Sequence, residues 1–209
     1  MTRQAHHFAG VTILFLVLYF YSSLLGAVSL WTWLAYIAVL LHQGLVAFVW
    51  RVELLGSHIT KRLGKAGFYI FGICFFIFLA IRLAITAIIG LDTRGLSAIP
   101  PAAAWAFFAV ILILGIYTLY SVLVYFGIKR ALGADHFFSG YRHMPFVRRG
   151  IFRITPNGMY AFGTLLFFLP GLWFRSDIGL AAGAFNYISV WIHYWATELP
   201  DIRYIYQRP

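Results

Sequence analysis

Only 11% of this chain is charged, and its polar side chains are not evenly spread. From Lys129 to Arg153, with Asn157 and Tyr160 just beyond, and again from His193 to Arg208, the sequence concentrates Asp135, His136, Tyr141, His143, His193, Tyr194, Glu198, Asp201, Arg203 and Tyr204. The first half has little comparable beyond His42, His58 and Arg82. Carboxylates, imidazoles and phenols gathered in this way can hold a cation, move a proton or line a polar ligand. Such groups are costly in an apolar chain, so their clustering is informative about function. Glu198 and Asp201 lie three residues apart, and share one face if a helix runs through them. For the two segments to build one pocket, both must emerge on the same side of the elements that carry them.

Those elements are membrane helices. Hydrophobic residues make up 62% of the 209, and too little polar surface remains to coat a water-soluble globule, where about 25% of residues are charged. Six apolar runs cover roughly residues 8–27, 30–50, 68–89, 102–126, 159–174 and 178–197, against the ~20 residues a crossing needs. The first continues past the length of a signal-peptide core and has no small-residue cleavage site, so it reads as a crossing. Sixteen Lys+Arg against six Asp+Glu would suggest nucleic acid in a soluble protein. Here the cations sit between apolar runs, which indicates the positive-inside bias and contact with anionic headgroups, not nucleic acid. Basic segments follow the second, fourth and sixth runs, Arg3 precedes the first, and the other links are nearly neutral. Alternation therefore puts both termini and both basic loops in the cytoplasm.

The expected fold is an all-α integral membrane bundle of about six transmembrane helices. Because the fifth run is short, five crossings with a re-entrant C-terminal hairpin is the alternative. Residues 1–126 supply four N-terminal helices, and 127–209 supply a basic loop and a helical hairpin. Gly179 and Gly183 form a G-x-x-x-G that predicts close helix packing. Cys74 stands alone, which excludes a disulfide framework. His136, His143 and His193 lack a tight ligand spacing, so no metal is expected.

The stretch Gly150-Ile-Phe-Arg-Ile-Thr-Pro-Asn-Gly-Met-Tyr160, with Gly163 after it, resembles the C-terminal signature of the phospholipid methyltransferase and isoprenylcysteine carboxyl methyltransferase superfamily. That signature has a Gly-aromatic-arginine lead, then N-P-M-Y or R-H-P-x-Y, then a Gly opening a helix. About forty residues on, the superfamily carries Glu-Glu and an aromatic-rich tail; here Thr197-Glu198-Leu199-Pro200-Asp201-Ile202-Arg203-Tyr204-Ile205-Tyr206 stands there. Ser176-Asp177-Ile178-Gly179-Leu180 is similar to its Ser-x-x-Gly-Leu turn. Leu132-Gly133-Ala134-Asp135-His136-Phe137 is similar to a Leu-Gly-Asp-aromatic stretch of the phosphatidylethanolamine branch. The chain departs from the pattern at Gly158, where the family has Pro, and at Leu199, where it has the second Glu.

The resemblance implies a methyltransferase that uses S-adenosylmethionine, in a pocket of the C-terminal helices open to the cytosol, on a lipid-like acceptor from the bilayer. A phospholipid amine is the first expectation. It further implies cofactor binding by Gly133, Asp135, Arg153, Asn157, Met159, Tyr160, Glu198, Asp201, Arg203 and Tyr204. The sulfonium and ammonium suit a carboxylate, Glu198 or Asp201. The cofactor carboxylate suits Arg153 or Arg203, and the adenine suits a wall of Tyr160, Tyr204 or Trp195. An amine acceptor must lose a proton, to Glu198, His193 or His136.

Blander readings stand beside these. Asn157 is a natural cap for a helix beginning near Met159. Trp191, Tyr194 and Trp195 suit an interfacial aromatic belt. Arg82, deep in the third run, is structural or meets a lipid phosphate. Two other functions remain: an NADPH-dependent membrane reductase of the steroid-reductase type, kept open by Arg203 and Tyr204, and a non-catalytic membrane partner with a lapsed site, kept open by Gly158 and Leu199.

Overall fold

The computed structural model describes residues 3–206, and every regular element among them is helical. Four of the six apolar runs form helices long and apolar enough to cross a membrane. These are α1 (Gln4–Leu24), α2 (Leu30–Gly56), α4 (Lys65–Asp92) and α5 (Pro101–Ser121), the last prolonged by a π turn, Val122–Phe126. A six-residue helix, α3 (His58–Leu63), joins α2 to α4. The buried carboxylate of Glu53 starts it, accepting from the amides of Ile59 at 2.9 Å and Thr60 at 3.2 Å.

The fifth run does not form the regular crossing helix that its hydropathy suggests. It is divided into α9 (Gly158–Ala161), a 3-10 segment (Gly163–Phe168) and α10 (Leu169–Trp173). Pro170 lies in the first turn of α10. Having no N–H, and a ring that clashes with the preceding turn, proline is tolerated there and breaks a helix that tries to run through it. The sixth run forms α11 (Asp177–His193), then a π turn (Tyr194–Glu198) and α12 (Leu199–Tyr206). Pro200 explains the π turn, since it leaves the carbonyl one turn back without its usual donor.

Between α5 and α9 lie short pieces: α6 (Ile128–Ala131), α7 (Ala134–Phe137), α8 (Ser139–Arg142) and a 3-10 turn at Gly150–Arg153. The main core joins α1, α2, α4 and α11 through Val11, Phe15, Val39, Ile85, Ile178 and Phe185. A second core, around Trp50, Phe68, Phe71, Leu132 and Phe137, fastens α7 to the ends of α2 and α4. Outward faces carry large exposed apolar residues, such as Ile13, Phe48, Ile73 and Ile113, as lipid contact requires.

The glycine pair on α11 does pack closely. A Cβ on Gly179 would stand 2.9 Å from the Cα atoms of Gly171 and Gly90, and one on Gly183 would stand 2.7 Å from the Phe167 carbonyl oxygen. The turn before α11 is also fixed. Ser176 Oγ accepts from the Gly179 amide at 2.8 Å. Asp177 accepts from Ser97 Oγ at 2.7 Å and the Ala98 amide at 2.9 Å. Arg82 is buried against α11. It donates to Asn186 Oδ1 at 2.8 Å and Ser189 Oγ at 3.1 Å, and lies 3.2 Å from His42 Nδ1. It therefore cross-links three helices and takes the structural role.

Candidate functional site

One polar pocket opens where the second core meets the C-terminal turn. Its floor is the α6–α7 link, with Arg130, Ala131, Gly133, Asp135 and His136. Met159 and Tyr160 come from α9, Glu198 from the π turn, and Ile202 and Tyr206 from α12. Trp50, Phe126, Tyr141 and Phe146 complete the wall. The empty space between these residues is ≈ 610 Å³, part of it open to solvent.

The local backbone explains how the floor is held. Gly133 has φ +73°, and a Cβ there would stand 2.6 Å from the Trp50 ring, so the left-handed turn and the close approach both demand glycine. Trp50 Nε1 donates to the Leu132 carbonyl at 3.3 Å, and its ring stacks on His136 at 4.4 Å. Arg142 grips the next turn, donating to the carbonyls of Asp135 at 2.7 Å and His136 at 3.3 Å.

His136 is flanked by two carboxylates. Its Nδ1 lies 3.0 Å from Asp135 Oδ1, and its Nε2 lies 3.4 Å from Asp201 Oδ2. Burial pulls the imidazole pKa down, but the hydrogen bonds and charges of Asp135 and Asp201 outweigh it and raise the pKa to about 9. Asp135 is affected conversely. Burial raises its pKa, and the His136 and Tyr206 bonds bring it below the ordinary value. The Tyr206 hydroxyl donates to Asp135 Oδ2 at 2.8 Å, and burial, then the Asp135 charge, push the phenol pKa up. On the other side, Arg51 Nε lies 2.6 Å from Asp201 Oδ1, and Arg51 also donates to the Thr197 carbonyl at 3.3 Å.

Glu198 stands apart from that network. The Tyr160 hydroxyl donates to its Oε2, and among the described residues no cation lies in ion-pair range of it. Burial raises its pKa to about 7, against the lowering effects of the Tyr160 bond and the His136 charge. A half-buried carboxylate of this kind can accept a ligand's positive charge or a proton near neutral pH.

Of the residues singled out from sequence, Gly133, Asp135, His136, Tyr141, Met159, Tyr160 and Glu198 line this pocket together. Asp201 is one layer behind, holding Arg51 and His136. Arg153 and Arg203 are exposed and outside the pocket, and Tyr204 does not line it either. Asn157 occupies the position before α9, but its side chain makes no capping bond. His193 is buried against His7, with ring centroids 5.2 Å apart, and is not in the pocket. Trp195 is turned outward beneath Arg3, at 4.7 Å, away from the expected adenine wall. Arg208 lies outside the described residues.

Trp50, Arg51, Arg130, Phe146 and Tyr206 were missed by sequence reasoning. The first two end an apolar run, where tryptophan and arginine ordinarily anchor a helix at the interface. Only the turn at Gly133, folded under Trp50, brings them to the site. Arg130 belongs to the basic loop read as topology, and nothing in its spacing distinguishes it from Lys129.

A family model described as phospholipid methyltransferase matches residues 104–209. No curated protein and no solved structure matches the chain. The matched segment contains every pocket-lining residue except Trp50.

Proposed function

The chain belongs to the phospholipid methyltransferase family, and on that premise we propose that it is an S-adenosylmethionine-dependent methyltransferase acting on the amine of a phospholipid. The observation that carries this reading is Glu198, a carboxylate lining the pocket whose hydrogen-bond partner among the described residues is the Tyr160 phenol. Asp135 and Asp201 are neutralised by His136 and Arg51, so Glu198 is the acid left for a ligand's cation.

The donor set fits the cofactor. Glu198 provides negative potential for its sulfonium and ammonium, and Trp50, Phe126, Tyr141 and Tyr160 offer flat apolar walls for its adenine. When bound, S-adenosylmethionine supplies an electrophilic methyl group on a sulfonium. Methyl transfer to an amine is a displacement, so the protein's task is to position, desolvate and remove a proton. Glu198 takes the last part, because its carboxyl ionises at about pH 7 and faces the space where sulfonium and amine must meet. His136 is poorly suited to act as a base, since it keeps its proton up to about pH 9 between two aspartates. It positions Asp135 and Asp201 instead. His193 lies behind the Trp50 ring, centroids 5.9 Å apart, does not line the pocket and takes no catalytic part in this reading.

The pocket is assigned to the cytoplasmic face. Lys61, Arg62, Lys65, Lys129, Arg148 and Arg149 cluster at this end of the helices, whereas the opposite turns carry Asp92, Arg94, Arg175 and Asp177 in balance. The α9–α11 hairpin, too irregular in its first arm for a regular crossing, is read as dipping into the membrane to hold the pocket.

Calorimetric titration of the purified protein with S-adenosylmethionine and, separately, NADPH tests the reading. S-Adenosylmethionine should bind, and Glu198→Gln should weaken it by roughly tenfold or more. Binding in the native protein should strengthen as pH rises through about 7, where the carboxyl ionises, and the variant should lose that dependence. Binding of NADPH alone would move the chain to a reductase function, and binding of neither would indicate a lapsed site.

A further inference from the structure

Arg130 is the pocket-lining cation that has no carboxylate partner among the described residues, although Asp135 and Glu198 line the same pocket. Both terminal nitrogens of its guanidinium donate to one neutral acceptor, the Pro145 carbonyl, at 3.2 Å each. The plane of the fork lies over the Phe126 ring at 4.9 Å. A guanidinium held in this way keeps donors and its full charge for a ligand, and its fork geometry matches an oxyanion. The depth of the residue identifies which oxyanion. Phe126 is the last residue of the fourth membrane-capable span, so a group stacked on it lies at the membrane–water boundary, where lipid phosphates are found. Glu198 lines the same pocket from another element, the π turn five residues beyond the end of α11.

We propose that Arg130 binds the phosphate of the acceptor lipid, so that the headgroup lies across the pocket with its phosphate on Arg130 and its amine turned to Glu198. The arrangement selects a zwitterionic aminophospholipid over an amine that lacks the phosphate. This assignment rests on the methyltransferase reading for the identity of the acceptor, while the lipid-binding measurement below does not require turnover.

The test uses the full chain in detergent, native and as Arg130→Gln and Arg130→Lys. Three affinities are measured for each: a short-chain phosphatidylethanolamine, a single-chain alkylamine without phosphate, and S-adenosylhomocysteine, which carries the cofactor's carboxylate. Arg130→Gln should weaken the phosphatidylethanolamine by roughly tenfold and leave the other two within about twofold. Arg130→Lys, which keeps the charge and loses the fork, should fall between and guards against a folding artefact. A drop in S-adenosylhomocysteine affinity with the lipid unchanged would make Arg130 the partner of the cofactor carboxylate and overturn the proposal. Three unchanged affinities would leave Arg130 as a clasp for Pro145 and overturn it equally. If the methyltransferase reading itself fails, the native protein will not bind S-adenosylhomocysteine, and the lipid comparison still decides the role of Arg130.

Discussion

Arg82 and His136 are each 3% exposed, yet their surroundings are opposite in kind. Arg82, within α4, is surrounded by neutral dipoles: Asn186, Ser189 and His42, with the Phe167 ring 5.1 Å away. Gln43 and His7 extend the same chain of bonds, with Gln43 donating to Ser189 at 3.0 Å and His7 lying 2.8 Å from its amide oxygen. His136, beyond the end of α5, lies between the carboxylates of Asp135 and Asp201, with the Arg51 guanidinium on the far side. The difference follows from depth. Inside the span a carboxylate would add a second desolvation cost, and several oriented dipoles can spread one charge without it. At the surface, paired charges are less costly and can change with pH. The first cluster therefore works as a lock among α2, α4 and α11, and the second as a charged frame around the polar pocket.

The most severe way to break this contrast is Arg82→Leu. It leaves Asn186 Oδ1 without its donor, at about 1–3 kcal/mol for the unsatisfied group. Thermal unfolding in detergent should show a drop of several degrees, while cofactor affinity per folded molecule stays within about twofold. An unchanged midpoint would mean that the lock is ornamental.

Titration of His136 comes next in size. Its pKa is raised in the fold from 6.5 to about 9, so its contribution to stability is fully present below pH 6.5 and is lost as pH rises through 9. The amount is on the order of 3 kcal/mol. The midpoint of the native protein should fall across that window, and His136→Gln should start lower and lose the slope. A slope that survives the substitution would assign the effect to another group.

The smallest expected effect is at Asn157, at the edge of the second cluster. Asn157→Ala removes no capping bond, so stability should change by less than the ~1 kcal/mol of a working cap. A full cap's loss in thermal unfolding would show that the side chain does bond the first turn of α9 in solution.

Much of this molecule can be read from its residue order. Uninterrupted apolar runs are sufficient for α1, α2, α4 and α5, because a segment of that length in lipid can satisfy its backbone only as a helix. The fifth run is too short to be decided in that way, and left a crossing and a re-entrant hairpin both open. Hydropathy averages over Pro170 and the glycines, and cannot register that the proline forbids a continuous ladder. Likewise, Tyr160 and Glu198 are recognisable as partners only because motif resemblance ties them together across 38 residues of chain.

What the sequence determined by itself is therefore what depends on local composition: a helical membrane protein, apolar runs long enough for α1, α2, α4 and α5, and a polar C-terminal segment where chemistry would gather. Tertiary structure decided which of those polar groups meet. Asp201 rests against Arg51 because a π turn re-aims the chain ahead of Pro200. Trp50 walls the pocket because Gly133 lets the backbone fold under its ring. Arg153 and Arg203, which looked equally suited to an anion, face outward. Charge and apolarity are properties of a residue and its neighbours in sequence, but whether a charge is paired, spare or exposed depends on distances of a few ångströms that only the packed helices set.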